Sequence, residues 1–131
     1  MRTLRSVLAL GTILVLGSCT YLPKNGACPE TAQWTAWIDA MPGPNAERSL
    51  IVTGRAFVPV DRVAILRAGP TDRMNPPGQR FTLFLFLDPD AEEGWQDVRA
   101  EVTPALPEYR EIIVSCAGEE IARIENIQTA Y

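Results

Sequence analysis

Histidine is absent from all 131 residues of this chain. That absence removes the Ser-His-Asp and Cys-His constellations and the usual zinc ligand sets. Serine is scarce as well. Beyond residue 18 only Ser49 and Ser115 occur, each within a predicted strand and neither in a Gly-x-Ser-x-Gly elbow. No phosphate-cradling glycine loop of either common type is present, so a hydrolase or nucleotide enzyme would need unusual machinery. Positive charge is in deficit, with 12 Lys plus Arg against 16 Asp plus Glu. Such a balance disfavours general nucleic-acid binding, which needs a basic surface for phosphate contacts. After residue 16 no apolar run is long enough to cross a bilayer as a helix. No segment repeats and none is low in complexity.

What is present begins at the N-terminus. Arg2 and Arg5 precede the apolar stretch Val7 to Leu16, which is too short to span a bilayer (roughly 20 residues) and suits a cleavable export signal. It ends in Leu16-Gly17-Ser18-Cys19. Two small residues before a cysteine resemble the lipobox of bacterial lipoproteins. The resemblance covers residues 1–19 only. It implies a signal peptide over 1–18, cleavage after Ser18, a diacylglyceryl group on the Cys19 sulfur and acylation, palmitate for example, of the new amino group. Thr20 stands where Asp would favour inner-membrane retention, which implies the outer membrane and a domain facing the periplasm. The partner so implied is the membrane itself, through the lipid anchor. Loss of Arg2 and Arg5 takes the formal net charge from −4 to −6. Residues 20–27 then form a short tether. Eight extended residues reach roughly 25–30 Å, so a domain over 28–131 stays close to the bilayer.

With Cys19 lipidated, Cys28 and Cys116 remain. An even pair in an oxidising compartment is most simply a disulfide, with two buried free thiols as the alternative. A metal site is the weakest reading, because two thiolates need further ligands and no histidine is available. No metal and no cofactor is expected.

From Cys28 onward, short apolar stretches are separated by Pro and Gly. Gln33 to Met41 alternates, with Trp34, Ala36 and Ile38 on one face and Thr35, Trp37 and Asp39 on the other, before Pro42-Gly43-Pro44-Asn45 breaks it. Leu50 to Val58 and Val63 to Arg67 also read as strands. Phe81 to Leu87 is apolar on both faces and is predicted to be the central buried strand. Tyr109 to Cys116 and Glu120 to Ile127 flank Ala117-Gly118-Glu119 as a hairpin. Trp95 to Val102 fits either period, but Gly94 disfavours a helix by about 1 kcal/mol, which tips the segment to strand. Seven strands at roughly ten-residue spacing predict an all-β domain: a single antiparallel sandwich, immunoglobulin-like or a small barrel. Cys28, Trp37 and Cys116 follow the immunoglobulin order of Cys, Trp and Cys. Position 114 is Val where that family has tyrosine, and Cys28 precedes the first strand, so the order carries architecture and not membership.

Candidate chemistry is thin. Asp88, Asp90, Glu92, Glu93 and Asp97 crowd one loop, where paired carboxylates could serve glycoside chemistry, beside the plainer reading of a solvated acidic turn. Oxygens at 88, 90 and 92 resemble the start of a calcium loop, but Glu93 and Arg99 occupy the positions where Gly and Glu are required. Charge is uneven along the chain. Residues 48–80 carry six arginines against Asp61 and Asp72, and residues 88–125 carry eleven carboxylates against Arg99, Arg110 and Arg123. A basic face could engage anionic headgroups or an acidic partner, unless cross-strand pairing cancels the asymmetry. The segment Gly69 to Gln79 is the longest irregular one, and its Arg73, Met74 and Asn75 are candidate partner-binding residues, with a plain crossover between sheets as the alternative. Of Trp34 and Trp37, three positions apart, one should face the core.

The reading that results is a non-enzymatic, lipid-anchored binding or accessory module of the cell envelope with a possible envelope protein partner. One alternative is an inhibitor of an incoming hydrolase such as lysozyme, for which an acidic chain suits a cationic enzyme. The other is a carboxylate enzyme using the 88–97 loop.

Overall fold

The computed structural model describes residues 28–44 and 46–131. The signal segment 1–18, the lipidation residue Cys19 and the tether over 20–27 lie outside the described residues. Eight strands and no helix make up the described chain: β1 (Thr31–Asp39), β2 (Ser49–Val58), β3 (Arg62–Thr71), β4 (Gly78–Leu87), β5 (Gly94–Val102), β6 (Glu111–Cys116), β7 (Glu119–Ile124) and β8 (Gln128–Ala130). They form two four-stranded sheets, in the orders β5-β2-β1-β8 and β3-β4-β6-β7. The domain is an all-β sandwich.

Two features differ from a purely antiparallel, seven-stranded domain. The pairs β1–β8 and β4–β6 are parallel, so both sheets are mixed. The expected last strand, Glu120 to Ile127, ends at Ile124 as β7, and after residues 125–127 the chain crosses to the other sheet as an unpredicted eighth strand, β8. Three residues of β8 are too few to show a period of two, which is why the sequence pattern leaves them unassigned. Residues 94–102 form a strand, as the glycine at its start suggested, and it pairs with β2 along its whole length.

Alternation explains the core. Leu50, Val52, Ala56 and Val58 of β2 face Phe81 and Leu83 of β4 and Ile112 and Val114 of β6, all buried. Trp34 packs on this core, and Trp37 lies on the outer side opposite Ile51, so the two split between faces as their spacing requires. Residues 33 and 34 bulge opposite the single Gly54. A Cβ at position 54 would lie 2.4 Å from the Trp34 ring, so only glycine lets the indole cross the strand.

The sandwich is closed on one side by a side chain acting as backbone. Gln96 of β5 donates its amide N–H to the Ala64 carbonyl at 2.7 Å and accepts the Ala64 N–H at 3.0 Å. The edge strand β3 thereby finds partners in the opposite sheet, where an open edge would otherwise present unpaired groups.

Cys28 and Cys116 are joined as a disulfide across 88 residues, with Cα atoms 5.8 Å apart. Cys28 stands before β1 and Cys116 ends β6, so the bridge pins the first described residue to the opposite sheet. Strand directions then define two poles. The Cys28 pole carries the ends of β2, β4 and β6 and the loop 88–93. The other pole carries the loops 40–48, 72–77 and 103–110 and the C-terminal β8.

Candidate functional site

The β3–β4 hairpin collects most of the features that point outward. Its strands pair in antiparallel register from Arg62↔Leu87 to Thr71↔Gln79, with an irregularity between Ala68 and Thr71. Across that irregularity the buried Gln79 donates its side-chain N–H groups to the carbonyls of Gly69 and Arg80. The predicted irregular segment Gly69 to Gln79 is therefore shorter in the structure: strand continues to Thr71 and resumes at Gly78. It is a hairpin tip within one sheet and not a crossover between sheets.

Asp72 orders that tip. Its Oδ1 accepts the N–H groups of Met74 and Gly78, both at 3.0 Å. Its Oδ2 takes the Arg110 guanidinium at 2.8 Å. Gly78 makes this approach possible, since a Cβ there would lie 2.8 Å from Oδ2. Arg110 also bonds Glu111 at 3.0 Å, and Arg123 of β7 bonds both Glu111 and Glu120. The chain Asp72–Arg110–Glu111–Arg123 thus ties the tip to β6 and β7. Backbone N–H donation from Gly78 and Met74 holds the Asp72 carboxyl below its ordinary value, and Arg110 adds to this. Burial pushes Glu111 up, but hydrogen bonds from Arg110 and Arg123 outweigh it and hold the group below its ordinary value.

A pH dependence follows. A carboxylate whose folded-state pKa is depressed contributes stability above its unfolded pKa and loses it as pH falls through the folded one. The starting values are 3.8 for Asp72 and 4.5 for Glu111. Stability should therefore fall on acidification below about pH 5, and Asp72→Asn should lower stability at neutral pH and flatten that slope, so that the two proteins converge in acid. Urea titrations of both proteins from neutral to acidic pH measure it. Equal slopes would show that Asp72 is not held as described.

The tip places Arg73, Met74 and Asn75 in solvent, at the pole opposite Cys28. The sequence reading did not find the outer face of the same hairpin. Phe81 to Leu87 is central in its sheet, flanked by β3 and β6, but it is not buried on both sides. Phe81 and Leu83 point inward, whereas Phe84 is 41 % and Phe86 38 % exposed, beside Ile65 at 38 %. The rings lie 6.1 Å apart, and the Arg67 guanidinium lies over both, 5.8 and 5.3 Å from their centroids. The register Ile65↔Phe84 and Val63↔Phe86 makes one apolar strip of them. The signal was in the sequence: a strand apolar on both faces buries both only when a layer covers each, and a sandwich covers one.

Charge segregation survives in part. Arg55 pairs with Asp97 across β2–β5, and Arg62 with Asp61, so cross-strand and local pairing cancels some of it. Among the described residues, Arg48, Arg67, Arg73 and Arg80 have no carboxylate within ion-pair distance. Three of these four lie on the β3–β4 hairpin, whose one carboxylate, Asp72, is taken by Arg110. A second exposed aromatic pair, Phe57 and Trp95, lies on the other sheet with Arg55 over the indole, but there the arginine is neutralised by Asp97.

In the acidic loop, the Asp88 carboxylate accepts the Asp90 N–H, which closes a turn, and Glu92 and Glu93 are exposed. Asp97 stands apart from them on the outer face of β5 with Arg55. Among the described residues no three Asp, Glu or Cys side chains converge where a metal ion could sit. An open cleft of about 400 Å³ lies between β1 and the β7–β8 connection, lined by Trp34, Trp37 and Ile124 among others.

No protein-family model, no curated protein and no solved structure matches this chain. The fold and the site define the class on their own terms: a disulfide-closed β-sandwich with a cationic and apolar hairpin on one outer face.

Proposed function

We propose that this protein is an envelope lipoprotein, anchored through Cys19 in the outer membrane and facing the periplasm, whose sandwich is a non-catalytic binding or accessory module. The observation that supports this is the β3–β4 hairpin. Three unpaired arginines and two exposed phenylalanines stand on a rigid, disulfide-closed scaffold, and solvent-facing aromatic and arginine side chains are the usual anchors of contact surfaces. Arg73, Met74 and Asn75 belong to the same surface as its tip. The lipobox-like segment supplies location and the sandwich supplies rigidity.

The test is site-specific photocrosslinking in intact envelopes. A photoreactive phenylalanine at position 84 should give adducts with an envelope component, and the same probe at position 99, on the outer face of the other sheet, should not. Equal or absent adducts at both positions would overturn the reading. Mass spectrometry of the mature N-terminus tests the anchor separately: a diacylglyceryl-modified Cys19 is expected, and an unmodified chain starting elsewhere would remove that part.

A further inference from the structure

We infer that the outer face of the β3–β4 hairpin docks onto an anionic phospholipid surface. This rests on the hairpin being the contact surface proposed above and names what it contacts. Three observations carry it. The first is charge complementarity: Arg67, Arg73 and Arg80 lack acidic partners among the described residues, and guanidinium groups pair bidentately with phosphate. On β6 and β7, Glu111 and Glu120 are both bonded to Arg123, which leaves the exposed Glu119 as the one carboxylate of those two strands without an arginine partner among the described residues.

The second observation is the placement of apolar groups beside these charges. Ile65, Phe84 and Phe86 form a flat strip on the same face, with Arg67 over both rings. Rings and guanidinium groups side by side suit the headgroup region, where the apolar body of a side chain sits below its polar neighbours. The third is where the chain leaves the domain. Cys28 is bonded to Cys116, at the end of the strand adjacent to β4, and Phe84 and Phe86 occupy that same end of β4. Eight tether residues reach roughly 25–30 Å from Cys28, so an anchor at Cys19 keeps this face within range of the bilayer. The attraction of each basic side chain to an anionic surface is modest and falls off within a Debye length. That is weak alone and enough to orient a domain already tethered.

The experiment uses the native lipoprotein in vesicles of phosphatidylcholine alone and in vesicles that also contain phosphatidylglycerol. Flotation reports the anchor. Modification of arginines by phenylglyoxal, read by mass spectrometry, reports the face. Flotation with both vesicle types is expected, with Arg67 and Arg80 modified several-fold more slowly on the anionic vesicles. Arg48, unpaired but on the β1–β2 connection, should be unchanged. Added salt should remove the protection, as should Phe84→Ser, a substitution at an exposed position. Flotation with anionic vesicles alone, with the same footprint, would uphold the docking face and sink the acyl anchor. Equal footprints on both lipids would overturn the inference, and so would protection that appears only when a second envelope protein is added.

Discussion

Replacing Cys28 and Cys116 together by alanine should lower the unfolding free energy by about 4–5 kcal/mol, because the bridge closes a loop of 88 residues and restricts the unfolded chain accordingly. For a domain of this size that corresponds to a fall in Tm of roughly 15–30 °C. The effect should appear mainly in the unfolded state. The urea m-value should rise, because an open chain exposes more surface on unfolding than a cross-linked one. Reduction of the wild-type protein by dithiothreitol should reproduce both changes. A loss below about 1 kcal/mol would mean that strain in the folded state offsets most of the entropic gain. The result has a functional side as well. Cys28 is where the domain would meet the proposed tether, and the Glu30 carbonyl, two residues on, accepts the Phe57 N–H near the end of β2. Without the bridge, residues 28–30 would keep few attachments, and this end of the domain would be the first to fray.

Much of the fold was legible in the sequence because alternation and turn chemistry agree locally. Strands β1, β2, β5 and β6 fall where the period of two places them. The hairpin expected around Ala117-Gly118-Glu119 is present, with Ala117 and Gly118, both at positive φ, as its two-residue turn and Glu119 already paired in β7. The pairing of Cys28 with Cys116 was the simplest expectation once Cys19 was read as a lipidation residue. Sheet order was not legible. Nothing local distinguishes a β4–β6 parallel pair from an antiparallel one, since both ladders accept the same β-branched and aromatic residues. The Gln96 clasp on β3 was hidden for the same reason: its meaning depends on which backbone lies 32 residues away in sequence. Within the candidate site, Arg73, Met74 and Asn75 were visible as an irregular segment with contact-forming residues. The Arg67–Phe84–Phe86 cluster was not, because it needs the register of two strands and the knowledge of which side a second sheet covers.

Phe81 and Phe84, three residues apart on one strand, should respond oppositely to truncation. Phe81 is fully buried between the sheets, so Phe81→Ala removes a ring and leaves a cavity, at a cost of about 3–5 kcal/mol. Phe84 points away from the core, and its neighbours on the outer face are Ile65, Phe86 and Arg67. Phe84→Ala should cost about 1 kcal/mol or less, the range of an exposed cation–π pair. Denaturation of the two variants in parallel measures this, and lipid or envelope binding of the Phe84 variant measures the rest. If Phe84→Ala destabilises as much as Phe81→Ala, the outer ring is part of the core and its exposure needs no partner. If instead Phe84→Ala leaves the fold intact and loses binding, then a large aromatic side chain stands in water at a position where the fold does not require it. A ring so placed gains its free energy only when something covers it. In that case the arginine poised over it, unpaired among the described residues, would point to a covering surface of negative charge.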